Sequence, residues 1–284
     1  MLVSVPSFKS KLIAGLVAFS PAIALADTPP MRVVSMNLCT DQLAMLVADE
    51  GQLLSVSRLA QDPEGSAMAE QAQTYLPNSG FAEEIYLMQP DLVIAGSFST
   101  PATTAMLQRL GVPVVVFDYA SSLSDIRDRL FQMGEVLGHQ HRAAKIVADF
   151  DAQLAALQAE ITTRPKAALY YANGYTSGDS TLAGQILIAA GFDNIATEAG
   201  LPYGGNMPLE VLALMQPDAI ITSSPSATTS RAEDILTHPV VDTLRQKTGT
   251  GWFSDRDWAC GTPFVLNAIA DTAALRRQLE GNGS

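Results

Sequence analysis

The sequence predicts an α/β fold with two similarly built lobes, each formed around a parallel sheet, joined by one long α-helix. The pentapeptide LMQPD occurs at 87–91 and again at 214–218. In both copies a helical stretch precedes the pentapeptide, and an apolar run of strand length follows it. Between the copies, an amphipathic stretch at 139–162 is long enough to cross from one lobe to the other.

Composition and charge limit the classes of function. The chain has 284 residues, of which 48% are hydrophobic and 16% charged, so it can bury one large core or two ordinary ones. Its formal charge of −12 leaves no basic surface to neutralise phosphates. We therefore expect no nucleic-acid partner and no anionic-membrane partner.

The first 26 residues have the pattern of a secretory signal. Lys9 and Lys11 precede an apolar run that ends in small residues at Ala24 and Ala26. We predict a signal peptide at 1–26, cleaved after Ala26. No later segment reaches the length of a bilayer span, and Asp27 rather than cysteine follows the predicted cut. The expected product is exported, monomeric and not membrane-embedded.

In the first predicted lobe (27–138), strand and helix patterns alternate, which indicates βαβ units and a parallel sheet. The strand patterns lie at 32–36, 53–57, 91–94 and 112–118, and the helix patterns at 40–50 and 124–137, with a further helix between Thr100 and Gly111. Ser122 and Asp125 have the spacing of a capping box at the start of the last helix.

The predicted bridging helix (139–163) has its apolar stripe at Ile146, Phe150, Leu154, Leu157 and Ile161. Arg164-Pro165 ends it just before the second predicted lobe.

The second lobe (164–284) repeats the pattern of the first. Strands are predicted at 166–171 and 218–221, with a helix at 181–191 closed by Gly191.

Ligands of open α/β sheets bind outside the carboxyl ends of the strands, so the residues there are the candidate binding residues. They mix aromatic, amide and hydroxyl groups, which suits a large, partly apolar ligand with polar edges. The candidates are Asn37, Leu38, Cys39, Arg58, Phe98, Tyr119, Asn173, Tyr175, Tyr203, Trp258 and Cys260.

Several of these candidates have an ordinary structural interpretation as well. Arg58 could pair with an anionic chelate or be a solvated loop residue. Tyr175 could stack on a ring or approach a metal, although Asn-Gly before it is a common turn. Trp258 could form an aromatic wall or belong to the core. Tyr203 lies in a glycine-rich loop that could close over a cleft or be plain surface.

The two cysteines leave three arrangements open. Cys39 and Cys260 could form a disulfide across the cleft, which requires Cα atoms within about 7 Å. Their thiolates could instead ligate a soft metal. Alternatively, each could be buried in its own lobe. A histidine metal site is not expected, because His139 and His141 do not share a helix face.

This combination of the repeated E-x4-[LM]-Q-P-D unit, the strand patterns and the central helix resembles the periplasmic substrate-binding proteins of ABC importers for cobalamin, ferric siderophores and haem. The resemblance covers residues 31–280. It implies two Rossmann-like lobes bridged by one rigid helix, with a metal chelate bound in the cleft between them.

The resemblance also implies a docking role for one glutamate on each lobe, Glu83 and Glu210, which would contact an ABC permease dimer in the inner membrane. Independently of the family, equivalent carboxylates on two like lobes suit a partner with twofold symmetry. Either glutamate could instead simply favour a helix N-terminus, and Glu84 is the local competitor to Glu83.

We predict a binding protein without a cofactor and without enzyme activity. The sequence contains no GxSxG, P-loop, HExxH or early GxGxxG motif. The favoured cargo is a ferric siderophore or a cobalamin-type corrinoid. The alternatives are haem binding, or an exported metal chelatase or redox enzyme that uses Cys39 and Cys260.

Overall fold

The computed structural model describes residues 28–223 and 231–282. The predicted signal peptide lies outside these residues. The first lobe contains a five-stranded parallel sheet in the order β3-β2-β1-β4-β5. Its elements are β1 (Val33–Ser35), α1 (Leu38–Val47), β2 (Leu53–Ser57), α2 (Ala69–Ala72), β3 (Leu76–Asn78), α3 (Ala82–Leu87), β4 (Leu92–Gly96), α4 (Pro101–Arg109) and β5 (Val114–Phe117).

Two helices connect the lobes, α5 (Leu123–Leu137) and α6 (Gln140–Ala159). The predicted capping box is present: the Ser122 side chain accepts from the Asp125 amide, and the Asp125 carboxylate accepts from the Ser122 amide. Gly138 ends α5 in the left-handed conformation, at φ 79°. α6 packs against α5 on one side and against helices of the second lobe on the other.

The predicted span of the long helix, 139–162, is too long. α6 has 20 residues, which corresponds to about 30 Å. The chain leaves the helix early because β-branched Ile161, Thr162 and Thr163 are poor helix formers, and Pro165 disfavours helical geometry at Arg164.

The second lobe contains a four-stranded parallel sheet in the order β11-β10-β6-β8 and a short antiparallel pair, β7 with β9. Its elements are β6 (Lys166–Leu169), β7 (Tyr175–Thr176), α7 (Leu182–Ala189), β8 (Asp193–Asn194), α8 (Ile195–Glu198), β9 (Gly205–Asn206), α9 (Leu209–Met215), β10 (Ala219–Ser223), α10 (Pro239–Arg245), β11 (Gly249–Phe253), α11 (Asp255–Trp258) and α12 (Val265–Asn282).

The pentapeptide repeat has the same local structure in both lobes. Gln89 and Gln216 both have left-handed backbone, at φ 50° and 46°, and a proline follows each. The next residue is an aspartate whose carboxylate accepts a hydrogen bond from a backbone N–H of its own lobe. The donor is the residue just before the first strand in one lobe and the first residue of that strand in the other. Asp91 accepts from Arg32 at 3.0 Å, and Asp218 accepts from Lys166 at 2.8 Å. The repeat therefore joins helix, turn and strand by one mechanism used twice.

One hydrophobic core runs through both lobes. It includes Leu43 and Phe117 of the first lobe, Phe150 of α6, and Leu169 and Ile269 of the second. α12, which the sequence pattern did not reveal, is held by a buried arginine. Arg276 donates to the carbonyl oxygens of Ala190 and Glu160 and to the Glu280 carboxylate. Since the lobes share a core, hinge motion between them would have to disrupt packed side chains.

Candidate functional site

A cavity of about 120 Å³ lies at the junction of the two lobes, outside the carboxyl ends of β1, β4 and β5. Residues from both lobes line it. From the first lobe and α5 they are Asn37, Cys39, Thr40, Leu43, Gly96, Ser97, Phe98, Phe117, Asp118, Tyr119, Ala120 and Arg129, and from the second lobe Ala259, Cys260 and Gly261.

The loop between β1 and α1 forms one side of this cavity. Asn37 caps α1, and its side-chain oxygen accepts from the backbone N–H of Cys39 at 3.0 Å. Gly96, at the end of β4, lies directly beneath Asn37. A Cβ atom at position 96 would lie 2.7 Å from Asn37 Cγ, so only glycine leaves room for the cap. The end of β4 and the start of α1 are thus packed together at the cavity wall.

Two exposed aromatic rings form the rim of the cavity on the first lobe. Phe98 follows β4 and Tyr119 follows β5, which are neighbouring strands, so both rings emerge at one edge of the sheet. Their centroids are 5.5 Å apart and their planes are tilted by 34°. This spacing is typical of an interacting aromatic pair, which presents a broad apolar surface with a phenol at one side.

The two cysteines line the cavity and form a disulfide with each other. Cys39 is the second residue of α1, Cys260 lies between α11 and α12, and their Cα atoms are 4.8 Å apart. Of the three arrangements left open by the sequence, the structure contains the cross-cleft disulfide. Separate burial and thiolate ligation of a metal are both wrong for this structure, because each sulfur is bonded to the other.

The lobes are in close contact beside the disulfide. Gly261 follows Cys260, and a Cβ atom there would overlap the Cβ atom of Ala120 in the first lobe. A few residues along, the backbone N–H of Leu123 donates to the side-chain oxygen of Gln185, on α7, at 2.8 Å. A bulky ligand therefore has no space between the cysteines and would have to lie outward of them, towards the aromatic rim.

Arg129 is a cavity residue that strand-end reasoning could not find, because it projects from α5 rather than from a loop after a strand. Its Nη1 donates to Gln132 Oε1 at 2.6 Å. Its Nε is buried and has no hydrogen-bond partner in the part of the chain that the structure describes. Among the described lining residues it is the one cation, so it could pair with an anionic group of a ligand.

Trp258, a sequence candidate, is half-buried and does not line the cavity. Its ring stacks on Tyr171, with centroids 6.3 Å apart and planes 5° from parallel, and its Nε1 donates to Asp255 Oδ1 at 3.1 Å. Burial raises the pKa of the Tyr171 phenol, and the nearby Asp255 carboxylate raises it further. The phenol and the indole therefore pack as neutral rings against the core of the second lobe.

The remaining second-lobe candidates lie on or next to the β7–β9 pair, outside the lining of the cavity. Asn173 has left-handed backbone at φ 57°, and its carbonyl accepts from the Asn206 side chain at 2.9 Å. Tyr175 pairs with Asn206 in the ladder, and its hydroxyl lies over Gly204, next to the exposed Tyr203. The structure thus groups both tyrosines on one small surface.

Two first-lobe candidates also lie outside the lining. Leu38 packs against the core. Arg58 is exposed and donates to the Ser79 hydroxyl.

A buried carboxyl group lies one turn into α1. Asp41 is fully buried, and its Oδ2 accepts from both the backbone N–H and the hydroxyl of Ser57. Burial raises the pKa of Asp41 from 3.8 to about 7, although the hydrogen bonds from Ser35 and Ser57 lower it. This group therefore titrates near neutral pH in the folded protein.

The two glutamates expected to dock occupy equivalent, exposed positions. Glu83 is the second residue of α3, and Glu210 is the second residue of α9. Glu84, the alternative docking candidate to Glu83, already has a partner within its own lobe. Its Oε2 accepts a hydrogen bond from the backbone N–H of Ser79 at 2.8 Å.

Within the described ranges there is no cluster of three or more histidine, cysteine or acidic side chains that could hold a metal ion. All three histidines are described, and none of them lines the cavity. The helices of the described chain also include none with the length and apolar character needed to span a bilayer.

Comparison with known proteins agrees with this architecture. The family described as "Periplasmic binding protein" matches residues 33–246. The chain belongs to this family. It is 26% identical over 210 residues to a cobalamin-binding protein of Halobacterium salinarum, covering 72% of this chain but only 57% of that protein. It is 27% identical over 257 residues to a vitamin B12-binding protein of Pectobacterium atrosepticum, covering 85% of this chain and 87% of the relative.

A solved structure has the same fold. The periplasmic haem-binding protein HutB of Vibrio cholerae aligns with a TM-score of 0.72 and 20% sequence identity, over 87% of this chain and 98% of HutB. The predicted fold class, two parallel-sheet lobes bridged by a long helix, is therefore confirmed.

Proposed function

We propose that the protein is the exported, periplasmic substrate-binding component of an ABC importer, and that it captures a cobalamin-type corrinoid. The observation that carries this proposal is the exposed Phe98–Tyr119 pair at the mouth of a cavity built by both lobes. A flat macrocycle with polar edges can lie on such an aromatic surface while its periphery stays hydrated.

The choice of a corrinoid over haem rests on the cavity lining and on the relatives. No histidine lines the cavity, so a cargo that brings its metal already coordinated suits it better than one that needs a histidine ligand. The two relatives compared by sequence above are named for cobalamin or vitamin B12, whereas HutB, which shares the fold at 20% identity, is named for haem. A ferric siderophore would likewise bring its metal already enclosed, and an anionic siderophore would add a negatively charged edge that Arg129 could contact.

The cargo can be identified by titration. Cyanocobalamin, a ferric hydroxamate and haemin would each be titrated into the purified protein by calorimetry, and the tightest would be competed against the others. We expect cyanocobalamin to bind one-to-one, and we expect the ferric hydroxamate and haemin to displace it poorly. Tight binding of haemin with no heat from cyanocobalamin would contradict the corrinoid assignment, as would a Soret band in protein purified from its native periplasm.

We further propose that Glu83 and Glu210 orient the loaded protein on the permease dimer. Exposed charges of this kind steer and orient association more than they supply affinity. The variant Glu83→Ala/Glu210→Ala should keep cargo affinity but lose uptake in cells that lack the wild-type protein. Glu64→Ala/Glu135→Ala, which removes two other exposed carboxylates, is the matched control. Uptake that survives the first double change would contradict the docking role.

A further inference from the structure

The fold explains four residues of each LMQPD copy. Met88 and Met215 are partly buried against the cores of their lobes. Gln89 and Gln216 form the left-handed turn, and the proline continues it. The aspartate accepts a hydrogen bond from a backbone N–H at the beginning of the lobe's first strand or just before it. The remaining residue, the leucine, has no such role in either copy.

Both leucines are almost fully exposed. Leu87 is 80% exposed and Leu214 is 81% exposed. They are the most exposed leucines of the described chain, and the next is Leu59 at 59%. A single exposed leucine is ordinary, but the same leucine exposed to the same extent at equivalent places on two lobes requires a shared cause.

Each leucine shares a helix face with a docking glutamate. Leu87 is four residues after Glu83 on α3, and Leu214 is four residues after Glu210 on α9. Residues at this spacing lie on one face, with Cβ atoms about 5–6 Å apart. Each lobe therefore presents one carboxylate and one apolar side chain together, and the pair occurs twice on the molecule.

We propose that Leu87 and Leu214 are apolar anchors that insert into two equivalent sockets of the twofold-symmetric permease dimer. Each socket would combine an apolar pocket for the leucine with a cation for the neighbouring glutamate. This inference rests on the proposed function, because it assigns further residues to the same docking surface. The glutamate raises the association rate and orients the protein on the permease. The leucine lowers the dissociation rate, because buried apolar contacts mainly lengthen the lifetime of a complex.

The test measures how each variant binds to the permease from the same organism. The permease is reconstituted with its ATPase subunits in lipid nanodiscs, and binding is followed by biolayer interferometry at several salt concentrations. The variants are Leu87→Ser, Leu214→Ser and their combination, compared with Glu83→Gln/Glu210→Gln. Leu110→Ser, at another exposed leucine of the first lobe, is the matched control. Cargo affinity and thermal midpoint are measured on each variant to verify folding.

We expect each leucine change to weaken binding roughly tenfold, mainly through faster dissociation, with an unchanged salt dependence. The glutamate variant should associate more slowly and lose salt dependence, and Leu110→Ser should bind as wild type. If the leucine double variant binds within twofold of wild type while the glutamate variant is weakened, the anchor assignment is wrong and the docking proposal stands. If the wild-type protein does not bind the permease at all, both fail.

Discussion

Cys39 at the start of α1 is bonded to Cys260 at the far end of the chain, with Cα atoms 4.8 Å apart and a sequence separation of 221 residues. The bond links the two lobes in the lining of the cavity that both of them form. A shared core, the two connecting helices and this crosslink together hold the lobes in one arrangement. In the proposed function, cargo would therefore enter over the aromatic rim rather than by wide separation of the lobes.

Removal of the crosslink should lower stability substantially. Closing a loop of this length restricts the unfolded chain, so Cys39→Ser/Cys260→Ser should lose about 3–5 kcal/mol of unfolding free energy. Guanidinium titration with and without reductant measures this loss. The denaturation midpoint of wild-type protein in reductant should equal that of the double variant. A wild-type midpoint that is the same with and without reductant would contradict the disulfide.

The repeat should respond equally in both lobes to changes at its left-handed residue. Gln89→Gly and Gln216→Gly remove a side chain from φ near +50°, so each should leave stability unchanged or raise it by up to about 1 kcal/mol. The same change at Gln153, in the middle of α6, should cost about 1 kcal/mol. Thermal denaturation of the three variants compares them directly. Opposite effects at positions 89 and 216 would argue against equivalent turns.

Much of this fold could be predicted because its signals are local. The sequence pattern predicts β2 at 53–57, and the strand has those bounds; the spacing of Ser122 and Asp125 alone predicts the cap. β3 has no readable pattern because it is a short strand containing Pro77, and β11 has none because Gly249 and Gly251 weaken its strand pattern.

The candidate site was less predictable, because its geometry depends on distant parts of the chain. Phe98 and Tyr119 follow strands, so the strand-end rule placed them correctly at the sheet edge. Arg129 enters the cavity from a helix face, which no strand-end rule selects. The pairing of Cys39 with Cys260 depends on how two lobes pack, and sequence separation carries no information about that distance.

Asp41 should make stability fall as the pH rises toward neutral. Its pKa is about 7 in the folded protein, whereas an unperturbed aspartate has a pKa of 3.8, so the folded state holds the proton more tightly. The stabilising contribution of the protonated form is complete below about pH 4 and is lost as the pH rises through 7. Asp41→Asn keeps an acceptor for Ser57 and stays neutral, so it should be more stable than wild type at pH 8, by up to roughly 4 kcal/mol.

Urea titrations of both proteins at pH 5 and pH 8 test this prediction, with Asp128→Asn on the exposed face of α5 as the control. An equal effect of Asp41→Asn at the two pH values would contradict the raised pKa.

Arg276 should be the residue whose loss most weakens the attachment of α12. Its guanidinium is fully buried and reaches two backbone carbonyl oxygens and the Glu280 carboxylate. Arg276→Ala removes these three hydrogen bonds from the buried guanidinium and opens a cavity, so we expect a loss of about 3 kcal/mol. Hydrogen exchange should show α12 opening first. Arg277→Ala, which removes the exposed pair with Glu160, should cost less than about 1 kcal/mol.

The most direct test of a cargo site at the aromatic rim is calorimetric titration of cyanocobalamin into Phe98→Ala/Tyr119→Ala, beside wild type and Trp252→Ala. Trp252 is an exposed aromatic residue on the edge strand β11, away from the cavity. We predict one-to-one binding by wild type and Trp252→Ala, and at least tenfold weaker binding by the rim variant, because its stacking surface is gone. Equal affinity of the rim variant and wild type would contradict the account.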